Sequence, residues 1–558
     1  MKFLKGKFSV FCLLFSVFCL GGFLRFYNLN WDQGHFFHPD ERNIAAAVSK
    51  ISFFDQLNPK FFAYGSLPIY FFRAIGETLT VLFKNPAWVY DWAKINLISR
   101  GVSAFFSSLT IILVFLIAQK IWNKKVGLIA TFLTSFSVSL IQTAHYGVTE
   151  SLLVFWLMLI LFFSLELLEK QTMKGYLKIG LVGGLALATK ISALSFFIIP
   201  LITHFFISTQ HRKQFKYLNY QLKLFVSMII AFLTSAIFSP YVFLDRKSFL
   251  ESMIYESGVA TGNLKVVYVL QFEKTLPYLF QLKNLIWQIG PVALLSYLGF
   301  LLLIFMAVKQ KDKKILVFLS FPLVYFAYAG SWYTKFIRYM VPIIPFLTIA
   351  ASWFLFEIWK KSRLIGGFLL SLCFTLTLFW SLAFFSIYTK ESTRITASKW
   401  IYQNIPPGAK ILGEHWDDGL PIDYSGSHPD WYQIKQLTIY EADNSQKIEY
   451  YGQELSGADY IVINSRRLYG TLMYLPEKYP TTSRYYRLLF AGELGYQKIA
   501  EFTSYPSIFG LEINDDSSEE TFQVYDHPKI IIFKNQNRYT KQQIKSIIEK
   551  NGIQPKTS

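Results

Sequence analysis

The alternation of apolar and polar segments along the chain predicts a protein that crosses a membrane many times. Over the first 390 residues, long apolar runs alternate with short basic turns, and eleven runs are long enough, or nearly so, to span a bilayer as helices. They lie at 8–24, 100–119, 126–144, 148–168, 176–190, 191–208, 222–243, 287–308, 314–330, 337–358 and 363–388. Lys190 divides the pair at 176–208. We therefore expect a mainly α-helical membrane bundle, with 8–24 retained as an anchor.

The short turns predict the sidedness of this bundle. Every second turn carries a basic cluster, at Lys120/Lys124/Lys125, Lys170/Lys174, Arg212/Lys213/Lys216, Lys309/Lys311/Lys313/Lys314 and Lys360/Lys361/Arg363. Because basic loops favour the cytoplasmic side, these turns and the N-terminus are predicted to be cytoplasmic in a multi-pass protein of the cell membrane. The long loops at 25–99 and 244–286, together with the C-terminal region, are then extracytoplasmic.

The first outer loop is too apolar for an ordinary solvated loop. Residues 43–53 and 67–83 predict helices that lie at the membrane interface and cover a cavity. The alternative is that 67–83 is itself a span, which would invert the sidedness of everything that follows it.

The composition changes near residue 391, which divides the chain into a membrane domain, 1–390, and a soluble extracytoplasmic domain, 391–558. A helix is expected at 393–404, followed by short apolar runs at 409–413, 459–464, 496–502 and 529–534 that are typical of strands in a small α/β domain.

Charge and composition narrow the class of partner. Only 16% of residues are charged, against roughly 25% in soluble proteins, and 53% are hydrophobic. Residues 391–558 hold 18 Lys/Arg and 21 Asp/Glu, a net charge of −3, so the remaining 37 Lys/Arg and 15 Asp/Glu leave +22 in the membrane domain. Anionic lipid explains that excess, and nucleic acid is not expected as a partner. The three cysteines lie in apolar runs and offer no disulfide framework.

The segment Phe36-Phe37-His38-Pro39-Asp40-Glu41-Arg42 carries the main candidate for chemistry. Asp40 and Glu41 lie close to the membrane, where carboxylates are costly to desolvate and usually mark a site. Pro39 predicts a helix that starts at these acids, so helix capping is the alternative role. A partly desolvated carboxylate at this level can act as a general base toward a hydroxyl. His38 beside the two acids is a possible site for a divalent cation, but no cofactor or metal is firmly predicted.

Four cations are predicted near the same level: Arg100, Lys190, Lys335 and Arg338. Basic residues on the outer side oppose the usual charge bias and suit a phosphate ligand, although snorkelling to the headgroups is the alternative. A phosphate held at the bilayer, a base above it and an outer acceptor predict transfer of a sugar from a lipid-phosphate donor to a hydroxyl. The cations would stabilise the departing phosphate, and attack from the opposite face would invert the anomeric carbon.

The chain also resembles the GT-C glycosyltransferases, in particular the protein O-mannosyltransferase and aminoarabinose-transferase branch. The matching segments are His38-Pro39-Asp40-Glu41, Phe61-Phe62-Ala63-Tyr64-Gly65-Ser66-Leu67-Pro68, Arg100, Thr149-Glu150, Ala188-Thr189-Lys190, Pro240-Tyr241 followed by Asp245, and Arg338-Tyr339 with Pro342 and Pro345. Together they cover residues 1–390 loosely.

This resemblance implies roles for individual residues. Asp40 would be the catalytic base with Glu41 in support, and the donor would be a polyprenyl-phosphate-linked sugar. Further residues at the donor phosphate would be Lys60, Tyr64, Lys190 and Arg338, and residues at the acceptor or in support would be His38, Glu150 and Asp245. The aminoarabinose transferases carry a lysine just before the proline of their interfacial segment. Here that position holds Gly65-Ser66-Leu67, and Lys60 is the substitute that the segment offers.

Other functions stay open at this stage. His415-Trp416-Asp417-Asp418-Gly419 partly resembles the Trp-Trp-Asp-Tyr-Gly motif of oligosaccharyltransferases, which would assign acceptor binding to the C-terminal domain; a turn after a strand is the alternative. A transporter or flippase of lipid-linked glycans would require repeated halves, which the sequence lacks. A sensory protein would leave the loop acids without a role. The acceptor, whether protein, lipid or glycan, is not predicted.

Overall fold

The computed structural model describes residues 2–211 and 216–550, in which the chain forms two compact units. The first contains the chain up to Thr261 together with Leu276–Phe385, and the second contains Gly262–Thr275 together with the chain from Ser386 onward. Arg212 and Lys213, from one of the predicted basic clusters, lie outside the described residues.

The first unit is helical. Its helices are α1 (Lys2–Phe26), α2 (Pro39–Lys50), α3 (Ser66–Phe83), α4 (Ala87–Tyr90), α5 (Trp92–Ile121), α6 (Lys124–Ser135), α7 (Val138–Ala144), α8 (Glu150–Lys170), α9 (Met173–Thr189), α10 (Ile198–Gln210), α11 (Lys216–Phe238), α12 (Tyr241–Leu244), α13 (Arg246–Thr261), α14 (Leu279–Ile289), α15 (Ala293–Gln310), α16 (Lys313–Ala329), α17 (Ile344–Lys361) and α18 (Arg363–Thr389). Turns of 3₁₀-helix lie at Ile191–Phe197, Gly290–Val292 and Ile337–Ile343.

The apolar helices agree with the predicted membrane bundle. Within the described residues, seven helical segments are long and apolar enough to cross a membrane, and the bent pair α6–α7 makes eight. The remaining three predicted spans correspond to α1, whose apolar part is Val10–Phe26, and to α9 and α16, which are 17 residues long. The predicted count of about eleven is therefore consistent with the structure, and a multi-pass membrane protein is confirmed.

Helices α6 and α7 are separated by a break, at which the backbone carbonyls at the end of α6 bond to a buried side chain. Asn123 caps the start of α6 by accepting hydrogen bonds from two backbone N–H groups, and the axis bends by 56° between α6 and α7. Arg25 of α1 lies fully buried at this break, where it donates to the carbonyls of Thr134 and Ser135 at the end of α6. The guanidinium thus satisfies carbonyls that a helix end leaves without partners.

The second unit is an α/β domain, as predicted. Its elements are α19 (Thr393–Asn404), β1 (Lys410–Glu414), β2 (Gln433–Leu437), α20 (Ser445–Gly457), β3 (Tyr460–Ile463), α21 (Tyr469–Leu472), α22 (Pro480–Ala491), β4 (Tyr496–Phe502), β5 (Ser507–Ile508), β6 (Leu511–Glu512), β7 (Ile530–Asn535) and α23 (Lys541–Lys550). The five-stranded sheet has the order β2-β1-β3-β7-β4, with β1 parallel to β2 and β3 and with β7 antiparallel to its neighbours. A separate hairpin joins β5 and β6.

The central strands of this sheet, β1, β3 and β7, are buried on both faces. Successive residues of a strand point to opposite faces, and Ile411 and Leu412 of β1 belong to two different hydrophobic clusters. Ile532 and Phe533 of β7 are divided in the same way. The central strands therefore form continuous apolar runs instead of alternating patterns, which is why they were recognisable in the sequence.

A buried charge cluster lies beside the start of β7. His527 is fully buried, with Nδ1 2.5 Å from Asp526 Oδ1 and Nε2 2.7 Å from Asp515 Oδ2. The hydroxyl of Tyr388, in the last turn of α18, donates to the other oxygen of Asp526 at 2.8 Å. Burial opposes the charged imidazole, but the two carboxylates raise the pKa of His527 to about 10. His527 is therefore an imidazolium at neutral pH and donates to both carboxylates.

The His527 cluster predicts a pH-dependent stability of the second unit. Because the pKa rises from about 6.5 in the unfolded chain to about 10 in the folded chain, its contribution is complete below about pH 6.5 and is lost as the pH rises through about 10. Calorimetry of the full chain in detergent should show the unfolding transition of this unit moving to lower temperature over that interval. His527→Gln should lower the transition at neutral pH and remove this part of the pH dependence.

His428 supplies a matched control, because it also pairs with an aspartate but lies on the surface. Its Nδ1 is 3.1 Å from Asp423, and both side chains are more than half exposed. His428→Gln should leave the transition and its pH dependence unchanged, since exposed ion pairs contribute little. An identical pH profile in the parent and in His527→Gln would contradict the assignment.

Candidate active site

Asp40 lies in the first turn of α2, where the local sequence holds its carboxylate away from solvent. Pro39 is the first residue of the helix, and His38 caps it by accepting a hydrogen bond from the Asp40 N–H at 3.2 Å. The Asp40 carboxylate accepts a hydrogen bond from the Tyr64 hydroxyl at 2.8 Å and pairs with Arg338. Only 22% of the Asp40 side chain is exposed. Residues from three distant parts of the sequence therefore meet at one carboxylate.

Tyr64 is positioned by the loop before α3. The Gly65 N–H donates to the Thr189 carbonyl at the end of α9, at 2.9 Å. The contact is so close that a Cβ atom on Gly65 would lie 2.0 Å from the Ala188 carbonyl oxygen. Glycine is required here for steric reasons, and the contact brings Tyr64 beside Lys190.

Lys190 occupies the break after α9. Its backbone is extended (φ −163°), so the helix stops and the side chain projects from the break. Its Nζ lies 4.7 Å from the centroid of the Tyr64 ring and 3.8 Å from Glu150 Oε1. Glu150 begins α8 and is buried, and its second oxygen, Oε2, accepts no hydrogen bond from the described protein. The sequence had predicted that Lys190 interrupts the 176–208 pair.

Arg338 is the cation that pairs with the Asp40 carboxylate. It lies in the 3₁₀-turn before α17, which Gln288 holds by donating to the Ile337 carbonyl at 2.8 Å. The guanidinium carbon is 5.3 Å from the centroid of the Phe336 ring and 5.9 Å from that of Tyr339. Its Nε is buried without an acceptor among the described residues, although 29% of the side chain is exposed. Arg338 thus retains a donor that the protein does not use.

The charges around Asp40 determine its protonation. Burial alone would raise the pKa of the Asp40 carboxyl, but the positive charge of Arg338 lowers it. His38, the Tyr64 hydroxyl and Lys190 act in the same direction, so the pKa lies well below the usual range. Burial and the charge of Asp40 raise the pKa of Tyr64 well above its ordinary value. The pair is therefore an ionised carboxylate with a protonated phenol that donates to it.

Glu41 belongs to a different, fully buried network, although it neighbours Asp40 in the sequence. Its carboxylate accepts from Arg100 Nε at 2.8 Å and Nη2 at 2.6 Å, and from the Gly147 N–H at 2.6 Å. Arg100 also donates to both oxygens of Asp32 and to the Leu29 carbonyl. All five N–H groups of Arg100 are used in this way, and the residue is 1% exposed. This geometry leaves Arg100 no donor for a phosphate.

Three further predicted residues lie outside the Asp40 cluster. Lys60 is exposed and pairs with Asp245 at 2.9 Å, which joins the two outer loops. Hydrogen bonds from Asn58, Lys60 and Ser248 lower the pKa of Asp245 well below its usual range. Lys335 is buried and donates to the Tyr333 carbonyl at 2.7 Å, and its burial lowers its pKa to about 8.

Glu256 of α13 is a site residue that the sequence analysis missed. The end of α13 is held near the Arg338 turn because Thr334 bonds to the carbonyls of Val259 and Ala260. The Glu256 side chain is exposed, but partial desolvation of its carboxyl group raises its pKa. The positive charges of Arg338 and Lys190 oppose this rise. In the sequence it resembles an ordinary acid on a solvated helix. Asp32 and Gly147 were missed for a similar reason, since neither belongs to a recognisable motif.

The segment His415-Trp416-Asp417-Asp418-Gly419 of the second unit directly follows β1. Asp417 is 2% exposed, pairs with Arg394 at 3.0 Å and accepts a hydrogen bond from Ser465. Asn464 donates to the Asp418 carbonyl at 2.7 Å. These bonds tie the turn after β1 to the residues after β3, which favours a structural role for Asp417.

His38 does not form a metal site with the two acids in this geometry. It caps α2, while Glu41 points into the Arg100 network. Among residues 2–211 and 216–550, no group of three or more His, Cys, Asp or Glu side chains is arranged to hold a metal ion.

Comparison with known proteins supports the predicted class. Residues 96–260, under a third of the chain, match the family model of dolichyl-phosphate-mannose-protein mannosyltransferases. No curated protein sequence matches the chain. The family match confirms the predicted resemblance to this branch of membrane glycosyltransferases and, with it, the class of enzyme.

Three solved structures align with all or part of the chain. The oligosaccharyltransferase of Archaeoglobus fulgidus, tethered to an acceptor peptide, aligns over 95% of this chain and 89% of its own with a TM-score of 0.51 and 12% identity. ArnT from Cupriavidus metallidurans, bound to undecaprenyl phosphate, aligns over 95% of this chain and 98% of its own, with a TM-score of 0.48 and 13% identity. A chain of the S. cerevisiae Pmt1–Pmt2 complex, bound to the sugar donor, aligns over 43% of this chain and 34% of its own, with a TM-score of 0.34 and 15% identity. The first likeness supports a GT-C fold.

The buried network around Arg100 predicts a large effect of one substitution on stability. Arg100→Met removes the cation and leaves Asp32 and Glu41 buried without compensation, which should cost about 3–5 kcal/mol. Thermal unfolding of the purified protein in detergent measures the loss. Adding Asp32→Asn and Glu41→Gln should recover part of it, because neutral side chains need no counter-charge.

Lys60→Met is the matched control for that experiment. The Lys60 side chain is 62% exposed, and Asp245 keeps its hydrogen bonds with Asn58 and Ser248, so this substitution should lower the unfolding temperature far less than Arg100→Met. Equal losses for Arg100→Met and Lys60→Met would contradict the assignment of the Arg100 network as the structural one.

Proposed function

We propose that this protein transfers a sugar from a polyprenyl-phosphate donor to an acceptor hydroxyl, with inversion at the anomeric carbon and with Asp40 as the base. The observation that carries the proposal is the convergence on Asp40 of Tyr64 and Arg338, with Lys190 beside Tyr64. An ionised carboxylate can take the proton of the acceptor hydroxyl, and two cations can bind the donor phosphate. The family match and the membrane fold support the same reaction class.

The phosphate end of the site consists of Arg338 and Lys190. Among the residues that the structure describes, Arg338 has a buried Nε without an acceptor, and Lys190 lies 3.8 Å from Glu150. Buried polar groups without partners are rare in native proteins, and a ligand is one explanation for them. A donor phosphate between the two cations would accept a hydrogen bond from the guanidinium, and the cations would neutralise the negative charge that develops on the lipid phosphate as it departs.

The base end of the site is the Asp40 carboxylate. The acceptor hydroxyl would give its proton to Asp40 while its oxygen forms a bond to the anomeric carbon. The bond between that carbon and the phosphate oxygen breaks, and the electron pair leaves with the polyprenyl phosphate. Because the acceptor attacks from the face opposite the phosphate, the configuration inverts. Proton transfer to a positioned group of this kind typically contributes about 10²–10⁴-fold to the rate.

The pairing of Asp40 with Arg338 has a consequence for the order of events. A carboxylate whose pKa lies well below its usual range is ionised but is a weak base. A donor phosphate would compete for the Arg338 guanidinium, and the weakening of the ion pair would raise the pKa of Asp40. Donor binding would thereby strengthen the base before the acceptor arrives.

Neighbouring residues would position these two ends. Tyr64 would orient the Asp40 carboxylate through its hydrogen bond, and Glu150 would orient Lys190. Glu41 would support Asp40 indirectly by fixing the start of α2 through Arg100, and His38 would do so as the cap of α2. Lys60 and Asp245 would join the outer loops near the entrance. The acceptor is a protein, lipid or glycan on the outer side of the cell membrane, with the N-terminus cytoplasmic and the second unit extracytoplasmic.

Asp40→Asn tests the assignment of the base. We expect the rate of transfer to fall by about 10²–10⁴-fold with the fold retained, because the amide preserves the shape but cannot accept the proton. Mass spectrometry of polyprenyl-phosphate-linked sugars and surface glycans, in cells with and without the gene, identifies the donor for the assay. Turnover is then measured with purified protein.

Asp55→Asn is the control for removal of an acid from the same loop. Asp55 is exposed and bonded to Ser52, so its variant should keep the parental rate. If Asp40→Asn protein with a parental unfolding temperature also transfers sugar at the parental rate, the assignment of Asp40 as the base is wrong.

Arg338→Met tests the phosphate end. Loss of a charged hydrogen bond to the phosphate should weaken binding of a polyprenyl monophosphate by about 10–100-fold. The same substitution removes the cation that lowers the pKa of Asp40, so the acid limb of the pH–rate profile should move to higher pH. Lys84→Met, at an exposed cation that ends α3, should change neither quantity. Unaltered affinity in Arg338→Met would remove Arg338 from the donor site.

A further inference from the structure

The β5–β6 hairpin of the second unit presents an apolar tip. The two central residues of its turn are Phe509 and Gly510, with Ile508 and Leu511 on either side. Phe509 is 92% exposed and Leu511 is 62% exposed. Three apolar side chains in four residues, on a projecting turn, are not explained by packing within the second unit.

The conformation of the turn makes the phenylalanine more unusual. Phe509 (φ +51°) and Gly510 (φ +80°) both have left-handed backbones, which is the pattern of a type I′ hairpin turn. Asn or Gly is favoured at the first of these positions, and a bulky aromatic residue there is uncommon. The turn therefore carries an aromatic side chain where local backbone energetics favour a small polar one, which suggests that the ring has a separate role.

The base of the hairpin is bonded to the end of the last membrane-spanning helix. The Ser507 N–H donates to Ser386 Oγ at 3.1 Å, and Lys390 Nζ donates to Ser507 Oγ at 2.7 Å. Ser386 lies in the last turn of α18, and Lys390 is the first charged residue after its apolar run. The hairpin therefore starts at the level where α18 leaves the hydrocarbon.

The chain that leads into the hairpin runs toward the membrane. Phe502, at the end of β4, packs on Trp400 of α19 with 6.1 Å between ring centroids, and five residues later Ser507 bonds to Ser386. Helices α18 and α19 are separated by residues 390–392, which are not helical, but they follow one another as one apolar segment, Arg363–Asn404. At the helical rise, the 14 residues from Ser386 to Trp400 correspond to about 21 Å. Five extended residues reach only about 17 Å, so this segment must run nearly parallel to the helix, toward the bilayer. Phe509 lies two residues farther along.

We propose that the β5–β6 hairpin inserts its tip into the lipid leaflet from which α18 emerges. Its partner is the bilayer interface, where aromatic side chains are favoured and apolar tips can bury themselves among acyl chains. Two residues past Ser507 extend by about 7 Å, which matches the depth of an interfacial anchor. This second attachment, beside α18, restricts rotation of the second unit about the helix. The inference does not depend on the proposed sugar transfer.

The test uses a fluorescent label at the tip of the hairpin in the full-length protein. Cys12 and Cys19 are exposed and are replaced by serine, whereas Cys373 is buried and is retained. Phe509→Cys is labelled with an environment-sensitive dye and reconstituted in nanodiscs of phosphatidylcholine and phosphatidylglycerol. Trp431→Cys is the control, because Trp431 is an exposed aromatic packed on Tyr402, 16 residues beyond Ser386 and thus about 24 Å farther along the helix.

Spin-labelled lipid should quench the dye at position 509 several-fold more strongly than at position 431, and aqueous iodide should show the reverse order. Equal quenching by lipid at the two positions, or strong iodide quenching at 509, would overturn the proposal. Either result would instead leave the tip exposed to water or covered by another protein.

Phe509→Asn provides a second test that does not label the tip itself. Asparagine suits the left-handed turn position, so the unfolding temperature should stay the same or rise. With the dye at Leu511→Cys, this substitution should reduce quenching by spin-labelled lipid at least about twofold, because the aromatic anchor is gone. Unchanged quenching at 511 would show that Phe509 does not hold the hairpin in the membrane.

Discussion

The buried guanidinium of Arg100 is the interaction on which the outer end of the membrane unit depends. It joins the end of the first span, through Asp32 and Leu29, to the start of α2, through Glu41. Glu41 in turn accepts the Gly147 N–H, at a position where a Cβ atom would lie 2.0 Å from Ser99 Oγ. A charge buried this deeply is tolerated only when every donor and acceptor is paired, so the geometry at this point is strongly determined.

This constraint explains why two adjacent acids have different environments. Successive residues of an α-helix point about 100° apart, so fixing Glu41 toward Arg100 directs Asp40 away from the network. Asp40 then faces Tyr64 and Arg338, which come from the loop before α3 and the turn before α17. The paired acids therefore divide into one that holds the helix and one that is available for chemistry. The cap of α2 is His38, so neither acid caps the helix as the alternative had it, and catalysis by Asp40 stays a proposal.

Much of the fold followed from local patterns, and the parts that did not have identifiable causes. The helix predicted at 393–404 matches α19, and four apolar runs match β1, β3, β4 and β7. Strands β1, β3 and β7 were recognisable because they are buried on both faces. Strand β2 was not predicted because it lies at the edge of the sheet, where Gln433 and Gln436 are exposed. The hairpin of β5 and β6 was too short to give a periodic signal.

The candidate site could be predicted as a set of residues but not as a set of contacts. Asp40, Lys190 and Arg338 were found because charges near a bilayer are rare, which is a property of the sequence alone. Whether a cation is saturated depends on partners far along the chain. Arg100 and Arg338 were therefore equivalent candidates, and only the positions of Asp32, Glu41 and Asp40 distinguish them. Glu256 was not identified because its proximity to Arg338 depends on the hydrogen bonds of Thr334, which hold the end of α13 near that turn.

Three arginines near the membrane differ in how their charge is compensated, and the difference indicates where an anion can be exchanged. Arg25 is fully buried and is bound only by neutral oxygens, two of them carbonyls at the end of α6, where the helix dipole favours a cation. Arg100 is saturated by two carboxylates and a carbonyl. Arg25 or Arg100 could bind a new anion only by losing buried hydrogen bonds that it makes within the protein.

Arg338 is the exception. It is 29% exposed, and within residues 2–211 and 216–550 it pairs with one carboxylate and its Nε–H has no acceptor. An arriving phosphate would therefore gain a hydrogen bond that the protein itself does not make, while it displaces only one ion pair. That asymmetry is a physical reason for the proposed donor site at Arg338, and in the proposed reaction it would make the pKa of Asp40 depend on whether the donor is bound.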